Sequence, residues 1–267
     1  MRLSSALKKY FKKRIEAILV LLEKPQRRFS PDDYHKLRVE IKKIKALFDA
    51  TAFCVTGFDS EKQFKLFKPL FKNAGKVRDL QMEMKTMEKY KLSPAYKEYR
   101  AALEQKRDAA ASVFFQLMDD HLKRDVQIVD KSTVQFLGRV HKNKMHEYLD
   151  ERRDEIIRVM KMRSTTDEQT HDMRKRLKSF FYTKKIMASK DIAVLNAEEI
   201  QDLLGTWHDH LVMAVHLQKE IDMDKISVRE KKFMKTLKKI IVEKKEALYN
   251  KVDGMKPAFI QSFRLQS

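Results

Sequence analysis

Apolar residues in this chain recur at intervals of three and four for nearly its whole length, and only five glycines and five prolines interrupt 267 residues. That pattern matches the 3.6-residue period of a helix and leaves no convincing alternation of period two, so the fold class is all-α. With 43% hydrophobic residues the chain has material for a proper core, which excludes a disordered or low-complexity polymer. Eight helices are expected, over about 2–24, 31–55, 59–90, 94–121, 131–163, 167–188, 196–222 and 226–252. Ser30-Pro31-Asp32-Asp33 and Ser93-Pro94 read as N-caps with proline in the first turn, Asp167 or Thr170 caps the sixth helix, and Asn196 with Glu199 makes a capping box. Pro69 divides the third helix into a short first piece and a long second one, and residues 255–267 read as a tail that docks apolar side chains.

The chain repeats itself. His35, Arg38 and Lys42 form a His-x-x-Arg-x-x-x-Lys motif, and His171, Arg174 and Lys178 form it again. A second element follows each time: Gly75 with Arg78-Asp79, then Gly205 with His208-Asp209. Two motifs in one order at similar separation indicate two four-helix halves built on one plan, with the break near residues 122–132.

At about 100° per residue, His35, Arg38, Lys42 and Lys45 fall within an arc of roughly 80°, opposite Leu37, Ile41, Ile44 and Phe48. The sixth helix aligns His171, Arg174 and Lys178, with Lys185 further along, opposite Met173, Leu177 and Phe180. If a pseudo-two-fold axis relates the halves, the two stripes face one another across a shared groove, which Lys9, Lys12, Lys13, Arg139 and Lys142 extend. Lysines and arginines on an outer helix face are usually just solvated. Here the spacing recurs and acids are missing from the stripe, so like charges repel and a bound anion is the simpler account. The balance of 58 Lys+Arg against 38 Asp+Glu, a formal charge of +20, supplies the same motive. Arg offers a planar fork to phosphate oxygens, Lys a point charge, and protonated His two donors. Gly75 and Gly205 sit inside helical patterns at a cost of up to about 1 kcal/mol, so another helix is expected to approach closely there. Asp79 and Asp209 are expected to orient a cation on the adjacent helix.

Other classes fit less well. Cys54 is the single cysteine and no Cys/His cluster has zinc-finger spacing, so a reducing compartment, the cytosol by default, and a fold without structural metal or cofactor are expected. No run of about 18 apolar residues and no export signal stands out, so no membrane role is expected. The doublets His171-Asp172 and His208-Asp209 suggest a metal-dependent phosphohydrolase of the HD type. Against it, the first half has His35-Lys36 and Arg78 at the matching places, so no ligand set repeats. Nucleic acid is the stronger rival, because phosphate contacts alone drive non-specific affinity, but no helix-turn-helix or stacking platform is evident. A basic scaffold that recruits acidic proteins is a third reading. Trp207 and the 14 methionines read as core, and His121, His141, His146, His210 and His216 as ordinary core or surface residues.

The chain resembles the CHAD family, the conserved histidine α-helical domain. His35, Arg38, Lys42 and Lys45, followed by Gly75, Arg78 and Asp79, match the first half of its signature. His171, Arg174, Lys178 and Tyr182, followed by Gln201, Leu204-Gly205 and His208-Asp209, resemble the second, with Ile200, Phe181 and Lys185 as departures there and Ala74, before Gly75, as a departure in the first. The resemblance spans nearly the whole chain. It implies one domain made of residues 1–125 and 126–267, folded as two four-helix bundles with pseudo-two-fold symmetry. It also implies non-catalytic binding of inorganic polyphosphate along a basic channel and, in some members, association with polyphosphate granules. Its expected contacts are His35, Arg38, Lys42, Lys45, His171, Arg174, Lys178 and Lys185, supported by Arg78, Asp79, Tyr182 and Asp209.

Overall fold

A computed structural model describes residues 3–88, 95–162, 165–187, 196–222 and 227–264. Ten α-helices occur among them: α1 (Leu3–Leu22), α2 (Pro31–Cys54), α3 (Ser60–Phe64), α4 (Phe67–Glu88), α5 (Ala95–Gln116), α6 (Asp120–Leu137), α7 (Lys142–Met160), α8 (Asp167–Met187), α9 (Ala197–Ile221) and α10 (Val228–Arg264). No strand occurs among the described residues. No described helix is long and apolar enough to cross a membrane.

Local chemistry sets the ends, and it corrects five expectations. Ser30 caps α2 as expected: its hydroxyl accepts from the Asp33 backbone while Asp33 accepts from the Ser30 backbone at 2.8 Å, and Pro31 occupies the first turn. The third helix divides at Lys65-Leu66, where α3, capped by Asp59, ends and α4 begins; Pro69 falls in the first turn of α4, where its missing N–H has no partner to lose. The break expected near 122–132 is instead the body of α6, because Asp119 caps that helix and Gly138 ends it, separating α6 from α7. The expected tail over 255–267 is helical as far as Arg264. Helix α10 runs through Gly254 and Pro257, because Val252, Phe259 and Phe263 are fully buried and hold both sides of the proline in place. Thr166, not Asp167 or Thr170, caps α8 by exchanging bonds with Gln169, and Asn196 adopts a left-handed conformation with no side-chain cap. The Ser93-Pro94 cap lies outside the described residues.

Two compact units result, and each draws on both sequence halves. The first comprises Met1–Arg78, Ala110–Ile156 and Arg176–Ile192; the second comprises Asp79–Ala109, Ile157–Lys175 and Ala193–Ser267. In the first unit Leu7, Phe11 and Ile18 of α1 are buried, as are the apolar stripe of α2 (Leu37, Ile41, Ile44, Phe48) and Leu177 and Phe180 of α8. Phe29, Tyr34, Phe114 and Phe115 form an aromatic cluster with centroid separations of 4.7–6.4 Å, fixing the start of α2 against the end of α5. The helical phases read from sequence therefore point inward as expected, which leaves the opposite face of α2 for the basic stripe.

The second unit packs Met87, Tyr99 and Leu103 against Met213, Leu217 and Ile221 of α9 and Phe233, Met234, Leu237 and Ile241 of α10. Trp207 is buried, and His210 is a satisfied core histidine whose Nδ1 lies 2.7 Å from the Thr206 carbonyl. Beside this core lies a polar network. Tyr99 donates to Glu83 at 2.5 Å, Glu83 meets His216 Nδ1 at 2.6 Å, and Glu220 receives Lys106 at 2.7 Å. Mutual satisfaction is what allows these groups to be buried, since an unpaired buried carboxylate is costly.

Candidate functional site

In the first unit, α2 presents His35, Arg38 and Lys42 on one side, and α4 supplies the surface they lie on. Arg38 Nη1 donates to the Phe71 carbonyl at 2.8 Å, and its guanidinium sits 4.3 Å from the Phe71 ring centroid. Lys42 Nζ lies 5.7 Å from the same ring. Phe71 therefore serves two cations at once, each gaining from the negative face of the ring. One turn along α4, Gly75 makes room: a Cβ there would overlap Arg38 Nη1 and stand 3.1 Å from its Cζ. The close approach expected at Gly75 is real, but what approaches is a guanidinium rather than a helix backbone. At Gly205 the expectation fails, for nothing lies within 4 Å of a Cβ built there.

His35 stands among cations from three helices. Its pKa is held below the usual histidine value by desolvation first, then by Arg78 of α4, Lys42 of α2 and Lys178 of α8, against the opposing pull of Asp32. Lys178 belongs to the second copy of the sequence motif and His35 to the first. The fold brings this one residue of the second copy within electrostatic range of the first copy inside one unit.

The second unit holds a matching pair. His171 of α8 stacks on His208 of α9 with ring centroids 4.6 Å apart and planes 22° from parallel. Desolvation, then His208, Lys175 and Arg174, lower the His171 pKa to about 4, with Asp172 opposing. His208 Nδ1 lies 3.8 Å from Asp209, and Arg174 is buried. His171 and His208 are the repeat equivalents of His35 and Arg78, so each unit pairs the same two positions of the motif.

Not every expected residue joins these groups. Lys45, one turn beyond Lys42, points at acids: its Nζ is 2.7 Å from Asp49 and 2.6 Å from Glu61, with Ser60 at 3.2 Å. Its charge is already balanced within the protein, and the stripe expected to lack acids is bounded by one at that end. Lys185 is exposed at the end of α8. Tyr182 is close enough to Tyr10 to help raise its pKa to about 12, behind the larger effect of burial. Phe71 was not anticipated; its spacing of four from Gly75 was the available signal. No group of three or more His, Cys, Asp or Glu positioned to hold a metal ion occurs among the described residues.

Paired cations on short helical spacing, seated on an aromatic ring and fixed in place by a glycine, form a surface suited to phosphate oxygens. A comparison with protein families decides what kind of domain carries it: the CHAD domain model matches residues 9–218. The chain belongs to the CHAD family. Its fold is shared with the CHAD domain from the plant Ricinus communis, at 13% identity and a TM-score of 0.72, covering 99% of this chain and 91% of that one. It is shared as well with PptA from Streptomyces chartreusis, at 13% identity and a TM-score of 0.69, covering 98% and 99%. Comparison with curated proteins finds no match. The CHAD match contains every basic residue of the two pairs, whereas the whole of α10 lies beyond it.

Proposed function

We propose that this CHAD protein is a non-catalytic binder of inorganic polyphosphate, and that His35, Arg38, Lys42, Arg78 and Lys178 of the first unit hold its phosphates. His171, Arg174 and His208 of the second unit supply further phosphate contacts. The observation that carries this reading is the convergence of cations from α2, α4 and α8 on His35, from both copies of the repeat. Like charges gathered at one place repel unless an anion offsets them, and their depressed histidines become double donors once it does. Each charge-assisted hydrogen bond contributes about 1.5–3 kcal/mol, so a handful gives useful affinity after the entropy of ordering a chain. Lys45 and Lys185 are left outside the contact set. The soluble, granule-associated setting expected from the resemblance belongs to this same reading.

Calorimetric titration with polyphosphate, single-stranded RNA and duplex DNA in one buffer tests it. Polyphosphate is expected to bind most tightly, with affinity that rises with chain length and weakens in added salt. Arg38→Ala should weaken binding by roughly tenfold or more, while Lys45→Ala should leave it unchanged. Preference for RNA would move the function to nucleic acid, and phosphate release in a parallel assay would make it an enzyme.

A further inference from the structure

We propose that a groove between α9 and α10 of the second unit docks an acidic, amphipathic segment of a partner protein. The groove has a volume of about 720 Å³. Ile221 and Val242 provide its apolar floor, and Lys231, Lys235, Lys238 and Lys239 of α10 stand along one rim. Lys238 is fixed by donating to the Gln218 side chain, which in turn donates to Asp222 at 2.6 Å. Among the described residues, no acid pairs with Lys231, Lys235 or Lys239. Val215, half exposed at 49%, lies three and seven residues before Gln218 and Asp222 and so extends the apolar surface along the same face of α9.

Two features choose the occupant. A bare phosphate chain has nothing apolar to set against Ile221 and Val242, and it would meet the carboxylates of Asp222 and Glu243, which also line the groove. A peptide with a few apolar side chains flanked by Asp and Glu satisfies the floor and the lysine rim together, and its own occasional cations suit the two acids. From Lys231 to Val242 the helix rises about 16 Å, the length of three turns of a docked helix. All of α10 lies outside the residues matched by the CHAD model, and none of the proposed phosphate contacts lies on it, so this surface is independent of the polyphosphate reading.

The test is fluorescence anisotropy of the full chain with a labelled synthetic helix of about 14 residues, carrying Leu at positions i, i+3 and i+7 and Glu at most others, against the same peptide with Ser for Leu. The Leu peptide should bind at least about tenfold more tightly than the Ser peptide. Lys235→Glu with Lys239→Glu, both at exposed positions, should weaken it by a similar factor, Val215→Ser should weaken it severalfold, and Arg38→Ala should leave it unchanged. Equal binding of the two peptides, or wild-type affinity in the double lysine variant, would overturn the proposal. So would loss of polyphosphate binding in that variant, which would make the groove a phosphate site.

Discussion

Gly75→Ala separates a positioned guanidinium from one that is merely near the site. The added methyl would occupy the place of Arg38 Nη1. Because that atom ends a flexible side chain, the backbone of α4 need not move; Arg38 swings away instead. It then gives up its bond to the Phe71 carbonyl and its seat on the Phe71 ring. Those contacts are worth about 1.5–3 and about 0.5–1 kcal/mol, and alanine restores up to about 1 kcal/mol of helix propensity. The net loss of stability is about 1–3 kcal/mol, readable by urea unfolding. Polyphosphate affinity should fall by roughly ten- to hundredfold, as if Arg38 had been removed. In a double-mutant cycle, Gly75→Ala should add almost nothing to Arg38→Ala. Gly205→Ala is the control: its methyl meets nothing within 4 Å, so stability should rise by up to about 1 kcal/mol with no change in binding. Wild-type affinity in Gly75→Ala, beside impaired binding in Arg38→Ala, would refute the argument that the glycine exists to seat the arginine.

Protonation gives two further tests in separate pH windows. The His171 pKa is depressed to about 4, so between that value and the unfolded pKa of about 6.5 the unfolded chain binds more protons, and stability falls as pH drops through this range. Bound phosphate reverses the depression, so polyphosphate binding should take up protons and tighten from about pH 8 to about pH 6; calorimetry in buffers of different ionisation heats measures the uptake. His216 shows the opposite shift, raised first by its bond to Glu83 against the effect of burial, with Glu83 and Glu220 adding to the rise and Lys106 opposing it. Its stabilisation is complete below the unfolded pKa and is lost as pH rises through the folded one, and His216→Gln should flatten that alkaline limb of unfolding. His216→Ala should cost about 2–4 kcal/mol, since Glu83 stays buried with one partner fewer. Pro257→Ala, at an exposed position inside α10, should raise the unfolding midpoint by restoring a helical N–H.

The helical phase of α2 was fully legible in the sequence, because Leu37, Ile41, Ile44 and Phe48 must share a face whatever they pack against, and all are buried. The recurring His-x-x-Arg-x-x-x-Lys motif also marked the helices that carry the two groups of basic residues, one in each unit. Chain breaks were harder to read. Helix α6 and the continuation of α10 depend on a cap at Asp119 and on distant burial of Phe259 and Phe263, which outweigh the local signals of Gly254 and Pro257. Nor did the interleaving of the two halves into each compact unit follow from chain order.

Within the stripe, Arg38 and Lys45 are equivalent by helical phase, and only what other elements set opposite them tells them apart. Arg38 meets a carbonyl, a ring and a glycine on α4, which together hold its guanidinium in one place. Lys45 meets Asp49 and the Glu61 carboxylate that α3 carries, so its charge is quenched inside the protein. Asp49, at i+4, was visible as a competitor; Glu61 was not, because its approach depends on the short helix capped by Asp59. On the proposed reading, a motif of correctly spaced bases thus marks the helix that carries a phosphate site. Under the proposed function, which of those bases bind is expected to follow from what the rest of the fold sets against each of them.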